Sequence, residues 1–270
     1  MLKIVILTNK DLTSNLLFSR LFEEKIVKIL AVVESSTIYK NKSPAISIFN
    51  LSKYMSLHYM TFLIFKNIIF KIREFLTFFI DWKYSILCRC RKNDIPIFSS
   101  NNFNSPKVIE IIKDSKPDLL IIRANQILSK KILMIPKFGT WCVHSSLLPS
   151  FKGIAGEFHA MRMGKSVGTS IFEVEEKLDE GKIIERVAIN PSSDLLETII
   201  KNNLAGSKLL LKTLTDYWIN QSLNYKSKYD YNDSYYSWPT AFNHNEFKKS
   251  NLCLLSFRSF FLFMILIFSS

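Results

Sequence analysis

The chain is poor in the residues that build loops and disulfide frameworks, with 7 Gly, 8 Pro and 4 Cys in 270 positions. So little Gly and Pro excludes a collagen-like or loop-dominated protein. The cysteines, at 88, 90, 142 and 253, lack the spacing of a disulfide scaffold, so a reducing, cytoplasmic setting is expected. Acids are scarce as well: 23 Asp and Glu against 36 Lys and Arg leave a formal charge of +13. An excess of that size suits an anionic partner, whether phosphorylated substrate, nucleic acid or membrane face. No Gly-x-Gly-x-x-Gly follows the first apolar run, whose turn is Thr8-Asn9-Lys10-Asp11. The glycines that let a backbone approach a pyrophosphate are missing, so NAD or FAD is not expected. The opening MLKIVILTNK has an apolar run of only Ile4 to Leu7 and no small-residue cleavage site, and reads as a strand instead of a signal peptide.

What is present is a large apolar fraction, 48%, enough for a sizeable core. Its order is strand 3–7, helix 14–24, strand 27–33, then strand 95–100, helix 105–115, strand 118–124, an apolar stretch at 128–135 and strand 140–146. Such alternation specifies an α/β fold with a Rossmann-like, doubly wound, mostly parallel sheet. Residues 1–190 are expected to form that domain, 191–250 a helix and an irregular lid over 230–249, and 251–270 an apolar tail.

The stretch from 40 to 92 interrupts the alternation and carries ten Lys or Arg against Glu74 and Asp81. On a helical wheel Lys66, Asn67, Lys71, Arg73, Glu74 and Thr77 share an arc of roughly 160°, with Leu63, Phe70 and Phe78 intruding. Such a basic, imperfectly amphipathic helix suits an anionic membrane interface, or else packs on its own domain or across a homodimer. The tail 252–268 runs 17 residues with Arg258 as its one charge, at the lower limit for a span. A charge there is costly mid-bilayer, so surface contact is expected over a true span. RNA binding is not expected, because Phe65, Phe75 and Phe79 fall on the apolar side and are not interleaved with cations.

Chemistry concentrates in PKFGTWCVHSSLLPSFKG (136–153) and GTSIFEVEEKLDEGKIIE (168–185). A strand through Thr140–Val143 delivers His144 to its carboxyl end, where ligands bind in open α/β sheets, and Leu148-Pro149 turn the chain. The second segment reads as strand, turn at Asp179-Glu180-Gly181, and strand, so that Asp179 could face His144 across a cleft. Cys88-Arg89-Cys90 is too tight for a metal or redox pair, and no metal is expected. His159 reads as structural or rim.

These segments resemble the folate-dependent formyltransferases, the family of glycinamide ribonucleotide transformylase, methionyl-tRNA formyltransferase and the sugar N-formyltransferases. The resemblance rests on KPDLLII (116–122), QILSKKIL (126–133), His144-Ser145-Ser146-Leu147-Leu148-Pro149 with Gly153, Gly168-Thr169, and Leu178-Asp179-Glu180-Gly181. It covers about 100–190 closely and the first 35 residues loosely. It implies 10-formyltetrahydrofolate as formyl donor and a small-molecule amine as acceptor. It also implies His144 as oxyanion donor or proton shuttle, and Asp179 as the group that orients it. Folate would lie against Arg123, Gln126, Ile127 and Leu128 and against the 135–142 region with Trp141. The acceptor would meet Ser146, Gly153, Glu157 and Arg162. One positioned oxyanion donor contributes about 3–4 kcal/mol in such chemistry.

The chain departs from the pattern at Cys142, where the family carries a catalytic Asn two positions before the His. A thiol is a weak donor beside an amide. Three readings stay open: a slower transferase relying on His144 and Asp179, one in which Asn125 supplies the missing amide, or a protein that binds without reacting. A compact, helical C-terminal region points to an amino sugar or similar metabolite over tRNA.

Overall fold

A computed structural model describes residues 1–36, 54–175, 181–226 and 233–268. Seven strands form one sheet in the order β3-β2-β1-β4-β5-β7-β8: β1 (Leu2–Asn9), β2 (Val27–Ser35), β3 (Ile97–Ser99), β4 (Leu119–Arg123), β5 (Thr140–His144), β7 (Val167–Glu173) and β8 (Ile183–Ile189). The first five are parallel, and β7 runs antiparallel to both β5 and β8. This is the mostly parallel α/β sheet that the alternation implies. A small second sheet pairs β6 (Lys152–Gly153) with β9 (Tyr235–Tyr236).

Strand alternation assigns the two faces. Ile4, Ile6, Ile121, Trp141 and Val143 pack under helices α1 (Leu12–Phe18) and α7 (Leu195–Asn220), while Val5, Leu7, Leu120 and Ile122 pack under α4 (Pro106–Ser115) and the short α5 (Lys130–Leu133). Burial on both faces explains why Ile4–Leu7 is continuously apolar. Asp11 starts α1 by accepting from the Ser14 amide and the Thr13 hydroxyl, 2.8 and 2.7 Å.

Three further helices sit around the site: α2 (Leu57–Leu76) and α3 (Ile86–Lys92) from the basic interruption, and α6 (Gly156–Arg162). Asn15 accepts from the Ile86 amide at 2.7 Å, tying α3 to the first crossover. Most of the polar arc read on α2 faces the protein, with Lys71 left exposed. Lys66, Asn67, Lys71 and Glu74 line a cleft, and Arg73 is 1% exposed. Tyr59, Phe62 and Phe70 are buried, so the helix packs on its own body, while Ile64, Ile68, Ile72 and Phe75 stand exposed. Leu63 and Phe70 intrude on the arc because they too line the cleft.

After α7, the residues expected as an irregular lid contain a helix, α8 (Ala241–Lys249), capped by Thr240 and Asn243 in a reciprocal box. The apolar tail forms α9 (Phe257–Phe268), with Ser259, Phe263 and Ile267 buried against the rest of the chain. Among the described residues no helix is long and apolar enough to cross a membrane.

Candidate active site

The parallel strands end together. Thr8 is level with Arg123, and Ile122 with Cys142, so the turn after β1, the end of β4 and the end of β5 open on one side. There lies a cleft of about 470 Å³, within the range of small-molecule sites. Its floor carries Arg123, Asn125, Cys142, His144 and Ser145; its walls carry Asn9, Lys10 and Asp11 on one side and Gly153 to Glu157 on the other. Helix α2 roofs it with Tyr59, Lys66, Asn67 and Lys71.

His144 is the last residue of β5. Its Nε2 is buried and makes no hydrogen bond to a described residue. A buried ring nitrogen without a partner, on a residue lining a cleft, is what a site awaiting a polar ligand leaves behind. The loop after it is held from β7: the Ser170 hydroxyl donates to the Ser146 carbonyl at 2.7 Å and accepts from the Leu148 amide at 2.9 Å. Beside His144, the Ser145 hydroxyl accepts from Arg123 at 2.8 Å, aiming the guanidinium across the floor. Gly153 has φ +90°, and a Cβ there would lie 2.3 Å from the Tyr236 carbonyl, so this wall of the cleft admits only glycine.

The residues singled out in the sequence divide. His144, Cys142, Asn125, Arg123, Gly153 and Glu157 come together in the cleft. Glu157 is 8% exposed and accepts from the Asn202 amide at 3.2 Å. Gln126 is spent on structure: its amide donates to Ser35 and accepts from the Phe103 amide, each at 2.9 Å. Leu128 and Trp141 are core side chains, Trp141 edge-on to Tyr217 at 5.4 Å, and Ile127 is exposed. Ser146 is buried outside the cleft lining, and Arg162 pairs with Glu246. Asp179 lies outside the described residues. His159 is structural: Nε2 meets the Ser237 carbonyl at 2.9 Å, and burial pushes its pKa down to about 4.

What the sequence reading missed is that the interruption belongs to the site. The intruding Leu63 and Phe70 were the available signal, since a helix with one solvated face would not break its polar arc. Burial pushes the Lys66 ammonium below its usual range, opposed by the carboxylates of Asp11 and Glu157. Among the described residues no cluster of His, Cys, Asp and Glu could hold a metal.

Comparisons with known proteins agree with this architecture. A methionyl-tRNA formyltransferase of Prochlorococcus marinus (strain NATL2A) is 37% identical over 140 residues, which is 50% of this chain and 41% of that protein. The chain therefore matches less than half the length of this relative. A sugar N-formyltransferase from a Shewanella species superposes with TM-score 0.54 at 16% identity, over 92% of this chain and 87% of its own. A sugar 3N-formyl transferase solved with dTDP and 5-N-formyl-THF gives 0.51 at 16%, over 87% of this chain and 69% of its own. The family model for formyl transferases matches residues 3–213, most of the sequence, and the chain belongs to that family.

Proposed function

We propose that the protein transfers a formyl group from 10-formyltetrahydrofolate to the amine of a small acceptor, an amino sugar or related metabolite. The observation that carries this is the buried His144 Nε2 at the strand-end cleft, which has no hydrogen-bond partner among the described residues. The folate supplies the formyl carbon. His144 is placed to donate to the oxygen on which charge develops, the interaction that contributes most in acyl transfer. As the acceptor's C–N bond forms and the bond to the folate nitrogen breaks, the amine's proton passes to that nitrogen. His144 is the relay, and Asp179 is the residue assigned to orient it.

The amide donor missing at Cys142 is assigned to Asn125. It lines the same cleft and makes no hydrogen bond to a described residue. The small acceptor is supported by the helices that follow β8, and by superposition on a sugar N-formyltransferase over most of both chains. The test is tetrahydrofolate release with amino-sugar nucleotides, glycinamide ribonucleotide and charged initiator tRNA offered in turn. Turnover dependent on an amino sugar and lowered about 10²–10³-fold in His144→Ala is expected. Silence with every acceptor, restored in Cys142→Asn, would make this a binding protein instead.

A second feature supports a working position at an anionic membrane surface. Helices α2 and α9 lie side by side, with Phe65 6.0 Å from Phe260 and 6.5 Å from Phe263. Each exposes an apolar stripe of the same spacing: Ile64, Ile68, Ile72 and Phe75, and Phe257, Phe261, Ile265 and Phe268. Exposed Lys83, Arg91, Lys92 and Arg258 accompany them. The positive charge favours anionic lipid and opposes a second copy of the same chain.

A further inference from the structure

Seven charged side chains line the cleft: Lys10, Asp11, Lys66, Lys71, Glu74, Arg123 and Glu157. Five are committed within the protein. Lys10 pairs with Glu74 at 3.1 Å, Asp11 caps α1, Arg123 donates to Ser145, and Glu157 accepts from Asn202. The two that remain, Lys66 and Lys71, have no ion pair or hydrogen bond among the described residues, and both come from α2. They lie five positions apart, about 7.5 Å along the helix axis.

The Lys66 ammonium, partly desolvated in the cleft without an ion-pair partner, is a standing cost that an anionic ligand relieves, and the exposed Lys71 lines the same cleft. Asp11 and Glu157 lie close enough to support the Lys66 charge, but Asp11 Oδ1 and Glu157 Oε1 are engaged elsewhere, and neither carboxylate forms an ion pair with Lys66. Tyr59 and Trp238 line the same walls. Glu74, also on α2, is spent on Lys10; the other committed charges come from the sheet ends, the start of α1 and α6, whereas both uncommitted ones come from α2.

We propose that Lys66 and Lys71 bind an oxyanion group, a phosphate ester or a carboxylate, of the ligand that fills the cleft, so that the basic interruption is a ligand-recognition element. This deepens the formyltransferase reading by assigning an anionic group to its ligand, yet its test does not need turnover. The group comes from one of two sources, the acceptor or the glutamate end of the folate, and separate probes distinguish them.

Calorimetric titrations with inorganic pyrophosphate and with 5-formyltetrahydrofolate would be run on the full chain, on Lys66→Met, Lys71→Met and Lys66→Arg. Methionine keeps an apolar stem of similar length, and thermal melts of each variant check that it folds. The expected result is pyrophosphate binding to the wild type that weakens about tenfold or more in each Met variant and stays within about threefold in Lys66→Arg. Such losses confined to pyrophosphate assign the anion to the acceptor, and losses confined to 5-formyltetrahydrofolate assign it to the folate. Unchanged affinity for both probes in folded Met variants, or a wild type that binds neither, overturns the proposal. Intact pyrophosphate binding without formyl transfer would sink the catalytic reading alone.

Discussion

Arg73, in the last turn of α2, donates from Nε to the main-chain carbonyl of Ile267, 194 residues later in the last turn of α9. Its other nitrogens reach the carbonyls of Ile80 and Asp81 at 3.5 and 3.0 Å, and the Trp82 indole donates to the Leu266 carbonyl at 3.1 Å. One buried guanidinium thus fastens the apolar tail to the interruption, and its charge sits at the negative end of α9.

Arg73→Leu should therefore destabilise the fold by about 1–3 kcal/mol or more, because buried carbonyls lose their donors. Lysine should not rescue it, having no planar fork to span three acceptors. Urea unfolding gives the magnitude, and faster proteolysis within 257–268 shows that the tail is what loosens. An unchanged midpoint would mean that the clip contributes nothing.

Two buried groups should tilt stability with pH in opposite directions. Glu34, 4% exposed, has its pKa raised by burial to about 7, with Lys10 opposing. A carboxylic acid that stays protonated in the fold contributes stability at low pH, lost as pH climbs from the unfolded value of about 4.3 to about 7. His159 has its pKa lowered by burial to about 4, so its contribution is present above about 6.5 and lost on acidification. Glu34→Gln should raise stability most near pH 8 and least near pH 5. Melting curves at the two values check this, and equal effects at both would refute the assignment.

The parallel sheet was legible because its strands are apolar on both faces and separated by helices of the right length, and His144 because a strand delivers it to the ligand end. The role of α2 was not. Its periodicity gave a polar arc, but nothing local tells whether such an arc faces water or a cleft. That is decided by Arg73 binding Ile267 and by Asn15 accepting from Ile86, contacts 194 and 71 positions apart. The helix at 241–249 was hidden by its polar, aromatic composition, and its start is set by the capping of Thr240 by Asn243. Trp141 was misleading for a simpler reason: on β5 it points to the face opposite Cys142, under α7.

Removing an oxyanion donor from such a site costs about 10²–10³ in kcat. Asn125→Ala and His144→Ala should each show that loss, whereas Cys142→Ser should remain within about tenfold, since a hydroxyl replaces one weak donor by another. Tetrahydrofolate release under saturating acceptor measures all three. A severe loss in Cys142→Ser with little change in Asn125→Ala would return the role to the thiol.

The apolar stripes of α2 and α9 make a prediction about location. Both helices run the same way, since Phe65 meets Phe260 and Phe263 while Arg73 meets Ile267, so the stripes form one broad face. Phe257 is 85% exposed and Phe75 63%. Contiguous apolar surface of this kind on a single chain marks an interaction site. With Lys83, Arg91 and Arg258 nearby, the protein should pellet with vesicles containing anionic phospholipid, less so with neutral vesicles, and less as salt rises. Ile68→Glu with Phe261→Glu should abolish pelleting without lowering the melting temperature, because both side chains lie on the outer face. If the wild type instead sediments as a dimer that the double variant dissociates, the face joins two copies of the chain and the membrane reading falls.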